Sequence, residues 1–309
     1  MKTSLVTGGA GFIGSWLCDD LIEKGHKVIC VDNLITARKK NVKYLKKKGA
    51  DFINRDVTKP LDLKGQIDYI FHLASPASPK DFSKIPIEIM LANSLGTLNV
   101  LDIAKSKNSR FLFASTSEVY GNPLKHPQTE DYYGNVNPVG PRACYDESKR
   151  FAEALTTSYR NQKGLDSVIV RIFNTYGPRM RKDDGRAIPS FITKALENKP
   201  VSIFGNGNQT RSFCYVTDLI TGIEKAAFSK YSGDVFNLGN PKELKIKNIA
   251  EIILEFTRSK SKIEFKKSMQ DDPIRRKPDI TKARKMLKWE PKTKFQEGIR
   301  ETIEWFKSN

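Results

Sequence analysis

The chain has 309 residues, enough to bury a full core as one large domain or two unequal lobes. Its 53 Lys and Arg against 35 Asp and Glu give a net charge of +18, but the lysines are spread along the whole chain, Lys46-Lys47-Lys48 being their longest pure run. No nucleic-acid-binding module accompanies them, so the charge reads as solvated lysine that attracts polyanionic small molecules rather than DNA or RNA. No apolar run reaches bilayer-spanning length, and Met1-Lys2 leads into the first strand without a signal pattern. Cys18, Cys30, Cys144 and Cys214 are scattered and form no C-x-x-C pair. The expectation is a cytoplasmic protein with reduced thiols, no membrane association and no metal.

In chain order, residues 3–7 read as an apolar strand, followed by Gly9-Ala10-Gly11-Phe12-Ile13-Gly14 and a helix over 12–24. A dinucleotide fingerprint requires this strand–turn–helix setting. Gly9 suits the tight turn, Gly11 the approach of backbone to a pyrophosphate, and Gly14 close helix–strand packing. The helix N-terminus presents free N–H groups to the phosphates. A strand over 28–32 ends in Asp32, eighteen residues after Gly14. A carboxylate there binds ribose hydroxyls and repels a 2′-phosphate, which favours NAD over NADP. Strands follow at 51–53, 68–73, 110–115 and 168–173, with helices at 87–107 and 146–161. The alternation predicts a doubly wound parallel α/β Rossmann sheet whose ligand crevice lies at the carboxyl ends of the strands.

Ser115-Thr116-Ser117-Glu118 closes the fifth of these strands, where a hydroxyl can bond a substrate alcohol and a carboxylate can orient a sugar. Tyr145 and Lys149 are four apart and share a helix face. A free phenol titrates near pH ~10, and a neighbouring ammonium favours the phenolate that can act as a base. With the glycine motif, this pair points to oxidation or reduction of a carbinol with a nicotinamide cofactor. After residue 175 the rhythm changes: strands at 201–204, 235–238 and 263–265 mix with helices at 246–258 and 296–307. The expected division is an NAD-binding domain over 1–176 with a return segment at about 212–240, and a smaller mixed α/β substrate-binding lobe from 177–211 and 241–309.

The chain resembles the extended short-chain dehydrogenase/reductase family, and within it the UDP-glucuronate decarboxylases (UDP-xylose synthases), from Thr7 to about Pro291. The strings that carry the resemblance are His72–Pro79, Ser115–Asn122, Asn137–Arg150, Arg171–Met180, Asp183–Arg186, Gln209–Phe213, Asn237–Pro241 and Asp271–Ile280. It implies NAD-dependent decarboxylation of UDP-glucuronate to UDP-xylose through a 4-keto intermediate, redox-neutral overall. It also implies a homodimer in which the 87–107 and 146–161 helices pair across a twofold axis. Thr116, Glu118, Tyr145 and Lys149 are then catalytic, with Arg276 beside them and Arg275 as its alternative. NAD would lie on Gly8, Gly11, Phe12, Ile13, Gly14, Asp32, Asn33, Asp56, Val57, Leu73, Ala74, Ser75, Thr175 and Arg186, besides Tyr145 and Lys149. Asn174, Arg179, Arg211, Tyr215 and Arg275 would take the UDP-sugar.

One position departs from the family pattern: Leu91 stands where a lysine is general. Either Lys84 or Lys80 substitutes for it, or the sugar differs. A nucleotide-sugar 4,6-dehydratase is the rival, because Thr116-Ser117-Glu118 suits both chemistries, and the 271–280 segment favours decarboxylation. A 4-epimerase normally lacks the glutamate. A non-catalytic NAD-binding protein need not keep all four catalytic residues, and nucleic-acid binding is the weakest reading.

Overall fold

The computed structural model describes residues 1–267 and 275–309, so Asp271–Ile274 of the arginine segment lie outside the described residues. The first half alternates β1 (Thr3–Thr7), α1 (Phe12–Glu23), β2 (Lys27–Asp32), α2 (Lys39–Lys47), β3 (Asp51–Asn54) and β4 (Tyr69–His72). Then come α3 (Pro79–Phe82), α4 (Pro86–Asn93), α5 (Leu95–Ser106), β5 (Arg110–Thr116), α6 (Ala143–Lys163), β6 (Ser167–Ile172) and β7 (Thr175–Tyr176). The rest holds α7 (Ala187–Leu196), β8 (Val201–Phe204), β9 (Thr210–Ser212), β10 (Cys214–Tyr215), α8 (Val216–Ala227) and β11 (Val235–Leu238). It ends with β12 (Glu243–Lys245), α9 (Ile246–Thr257), β13 (Ile263–Lys266), β14 (Arg275–Arg276) and α10 (Phe295–Ser308).

Among the described residues seven strands form one parallel sheet in the order β11-β6-β5-β4-β1-β2-β3. The strands are near-continuous apolar runs because helices cover both faces. Leu5, Val31, Phe111 and Phe113 pack under α5 and α6, while their chain neighbours Val6, Cys30 and Leu112 face the opposite core with Leu17 and Leu219. The winding reverses at β1, between β4 and β2, which opens a crevice at the carboxyl ends of the strands. Beside this sheet stand the pairs β10-β7 and β13-β8 and the three-stranded β12-β9-β14.

The helix expected over 87–107 is two helices, broken at Ser94 (φ −104°, ψ −80°). Asn93, just before the break, is fully buried and donates to Ser75 Oγ and Ser148 Oγ, both at 3.0 Å, tying α4 to α6. By length and composition alone Pro86–Ser106, with an 18-residue window of mean hydropathy 1.2, is long and apolar enough to cross a membrane, where the sequence reading expected no such run. Ile87, Met90, Leu91, Leu95 and Phe151 are exposed on α4, α5 and α6.

Candidate active site

The strand ends and the smaller sheets enclose a cleft of about 480 Å³. At its floor Gly8, rather than the expected Gly9, is the left-handed turn residue (φ +70°), and a Cβ there would meet the Leu73 and Ala74 backbone at 2.8 Å. Gly9 is needed for a different reason, since its Cβ would lie 2.6 Å from Cys30 Sγ. A Cβ on Gly14 would sit 2.1 Å from the Gly8 carbonyl oxygen, so α1 begins flush against the turn. Asp32 closes β2 and accepts the backbone N–H of Ala10 at 3.1 Å and of Leu34 at 2.8 Å. Burial raises its carboxyl, and the N–H groups of Leu34, Ala10 and Gly11 oppose that rise. Asn33 donates to Asp56 at 2.8 Å on the same rim. Arg38 also lines the cleft, and its buried Nη1 has no hydrogen-bond partner among the described residues. A glycine cradle, an acid at the second strand end and an unsatisfied guanidinium N–H fit a dinucleotide.

Across the cleft, Thr116 ends β5 and caps the turn that follows, its Oγ1 accepting the Glu118 N–H at 3.2 Å. Glu118 is held by Arg142 Nη2 at 2.5 Å, by Arg276 Nη2 at 3.0 Å and by Arg276 Nη1. Burial works against its charge, but Arg276 and Arg142 outweigh burial and hold the carboxyl down to about 2. Glu118 is therefore an anion across the working pH range.

Tyr145 stacks on Phe82, ring centroids 5.1 Å apart. Burial pushes its phenol above the ordinary value; Glu118 and Asp146 add to that, while the Thr116 hydrogen bond and Arg186 oppose it. Lys149 donates to the Ala114 carbonyl at 2.8 Å, and its Nζ lies 4.7 Å from the Phe113 ring centroid. Burial brings the Lys149 ammonium down to about 7, against a pull from Glu153, so it is only partly charged near neutrality. The sequence spacing suggests that Lys149 lowers the Tyr145 phenol; among the described side chains Thr116 and Arg186 act that way instead. His72 is a buried tie, bonded to Thr7 Oγ1 at 2.7 Å and Thr97 Oγ1 at 3.1 Å, and burial takes it down to about 3.

The cleft brings together Gly8, Gly11, Phe12, Ile13, Gly14, Asp32, Asn33, Asp56, Val57, Leu73, Ala74 and Ser75. It also brings together Thr116, Glu118, Tyr145, Lys149, Asn174, Thr175, Arg179, Arg186, Arg211 and Arg276. Tyr215 is not among its lining residues: it is buried against Tyr176, and its hydroxyl donates to Glu301 at 2.5 Å. Arg275 is exposed on β14, while Arg276, the next residue along the strand, is 3% exposed and turned inward. Arg179 reaches the cleft, but its guanidinium donates to Ser15 O and Asp19 and stacks on Trp16, so it is spent on α1. Arg186 is forked onto Asp184, at 2.5 and 2.8 Å.

Neither Lys80 nor Lys84 lines the cleft beside Leu91, and Lys80 instead donates to the Asp183 carbonyl at 3.1 Å. The cleft's basic lining is instead Lys149 with Arg38, Arg55, Arg142, Arg179, Arg181, Arg186, Arg211 and Arg276. Arg38 and Arg142 were not anticipated from sequence. Arg142 lies three residues before Tyr145, and only its contact with Glu118 singles it out.

A family model, NAD dependent epimerase/dehydratase family, matches residues 4–239. UDP-glucuronic acid decarboxylase 1 of Danio rerio is 48% identical over 306 residues, covering 99% of this chain and 72% of that protein. The crystal structure of UDP-glucuronic acid 4-epimerase from Bacillus cereus in complex with UDP-glucuronic acid and NAD superposes with a TM-score of 0.87 at 30% identity, covering 99% of each chain. The dTDP-glucose 4,6-dehydratase of Bacillus anthracis in complex with NAD gives a TM-score of 0.86 at 25% identity, over 100% of this chain and 97% of that one.

Proposed function

The chain belongs to the NAD dependent epimerase/dehydratase family, and from that premise we propose that it converts UDP-glucuronate to UDP-xylose and CO2. The observation that carries this reading is near-full-length identity of 48% to a UDP-glucuronic acid decarboxylase, well above the 25–30% shared with the 4,6-dehydratase and 4-epimerase structures. The glycine cradle with Asp32 and Asn33 would hold NAD, which when bound would supply a reversible hydride acceptor.

Tyr145, whose phenol burial raises in the chain by itself, would accept the proton of the sugar 4-hydroxyl once the positive charge of a bound nicotinamide favours its phenolate, and Thr116 hydrogen-bonds the oxygen that becomes a ketone. The 4-ketone lies β to the C6 carboxylate, so the C5–C6 electron pair can delocalise as CO2 leaves. Thr116 and the arginine donors around it stabilise the resulting negative charge. Glu118, fixed as an anion, orients Arg142 and Arg276 toward the sugar. A water held by Arg276 protonates C5, and Tyr145 then returns its proton to O4. Asn174 and Arg211 are suited to the UDP group, arginine through paired charge-assisted bonds to phosphate.

The remaining proposals are coarser. NAD-binding residues 1–176 take back a return segment at about 212–240, which is supported by β11 pairing with β6; residues 177–211 and 241–309 make the sugar-nucleotide lobe. Exposed apolar side chains on α4, α5 and α6 support a homodimer through those helices. Four free cysteines suit a reducing cytoplasm.

The test is NMR and mass spectrometry of products from UDP-glucuronate with catalytic NAD. UDP-xylose with CO2, and an inactive Tyr145→Phe chain, are expected. A product inverted at C4 with its carboxylate intact would establish an epimerase instead, and unchanged UDP-glucuronate would overturn the substrate assignment.

A further inference from the structure

Behind the Glu118 ion pairs lies a second chamber, of about 220 Å³. Glu118, Arg142 and Arg276 line both it and the main cleft, so these three side chains form a partition between the two. Asp146 lines the chamber and not the cleft, beside Asn122, Asn135 and Asn137. It follows Tyr145 on α6 and is rotated from it by about 100°. Asp146 is 5% exposed, and its buried Oδ1 has no hydrogen-bond partner among the described residues. Burial raises its carboxyl to about 8, Glu118 and Glu147 add to the rise, and Arg142 and Arg276 oppose it. Near neutrality this side chain holds a proton.

The proton balance of the proposed reaction gives that acid a use. The proton that Tyr145 takes from O4 goes back to O4 when the ketone is reduced. Loss of CO2 from a carboxylate leaves its electron pair on C5, and the C–H bond formed there takes one further proton per turnover from solvent. Resting on the decarboxylase reading, we propose that Asp146 is the reservoir for that proton, passing it by way of water to the donor at Arg276 and regaining it from solvent through the chamber. Asp146 acts through Arg276 and does not touch the sugar. A purely structural role, such as complementing the helix dipole from the first turn, would leave pH dependence and cofactor state unmoved.

The experiment compares wild type and Asp146→Asn, both loaded with NAD and given UDP-glucuronate, across pH 6–9.5. In Asp146→Asn, kcat falls about 10²-fold, the scale of general-acid effects, while KM changes less than about twofold. The decline of wild-type activity above pH 8 disappears, and reduced cofactor builds up at 340 nm because oxidation precedes the slowed protonation. Wild-type kcat and an unchanged alkaline decline in the variant overturn the proposal. Asp146→Glu retains an acid: turnover returns with the alkaline decline displaced, and a decline left at the wild-type pH also overturns it, whether or not Asp146→Asn folds. Absence of CO2 from wild type overturns the decarboxylase reading, and this proposal with it.

Discussion

Arg276 reaches across 158 residues of sequence to fork onto Glu118, with Nη2 on Oε2 at 3.0 Å and Nη1 on Oε1. The arginine is 3% exposed, and Arg142 donates to the same Oε2 at 2.5 Å. Breaking a buried pair from one side typically costs ~3–5 kcal/mol, because a charge is left without compensation. Here Arg142 stays behind, so Arg276→Met should lose ~3 kcal/mol, the lower end of that range. Urea unfolding of the two chains measures it. A loss below ~1 kcal/mol would mean that the pair holds only orientation.

The same contact sets an acid limit. Glu118 is held at about 2 in the folded chain against an ordinary 4.5. A depressed carboxyl contributes stability that is complete above the unfolded value and disappears as pH falls from 4.5 toward 2. Unfolding free energies across that window should therefore drop more steeply for wild type than for Glu118→Gln. Parallel curves would show that the charge gains nothing on folding.

The strands β1 to β6 were legible to within a residue or two, because a strand buried on both faces is an almost unbroken apolar run; the edge strand β3, half-exposed, shows only Phe52-Ile53. Helix α2 was not, since Lys39–Lys47 is mostly lysine and buries only Asn41 and Leu45 fully, with Val42 packed at the core edge and Tyr44 bonded to Asp19. The break at Ser94 was hidden because apolar residues continue across it. At the site, spacing placed Tyr145 and Lys149 together but said nothing of depth, and burial dominates both titrations. Tyr215 was expected at the UDP group from the family resemblance, yet Glu301, 86 residues later, draws its hydroxyl away from the cleft. Sequence patterns name residues readily; long-range partners decide where they point.

Lys149 carries a cost that substitution should reveal. Its folded value is about 7 against an ordinary 10.5, so the unfolded chain binds the proton more tightly. Stability from this group rises as pH climbs from 7 toward 10.5 and is reduced below 7. Lys149→Met removes the penalty. Free of cofactor, the variant should melt above wild type at pH 6, show a flatter pH dependence, and turn over no substrate. Melting below wild type at pH 6 would show that the bond to Ala114 outweighs the desolvation.

Gly14 and Gly25 separate damage to the fold from damage to the cofactor site. A Cβ on Gly14 would lie 2.1 Å from the Gly8 carbonyl oxygen, a backbone atom in a left-handed turn that is itself pressed against Leu73 and Ala74. None of these can rotate aside, so α1 must move away from the turn, at an overpacking cost of ~1–3 kcal/mol. Gly25 also has positive φ, +79°, but nothing lies within 4 Å of its Cβ position. Gly25→Ala therefore costs ~1 kcal/mol of backbone strain at the far end of α1 and leaves the cradle intact. Calorimetric NAD titration should find Gly25→Ala at wild-type affinity and Gly14→Ala at least about 100-fold weaker, because phosphate binding depends on the helix N-terminus lying flush. Equal affinities in the two variants would mean that the anion is held elsewhere, leaving Arg38 and its unsatisfied N–H as the next group to change.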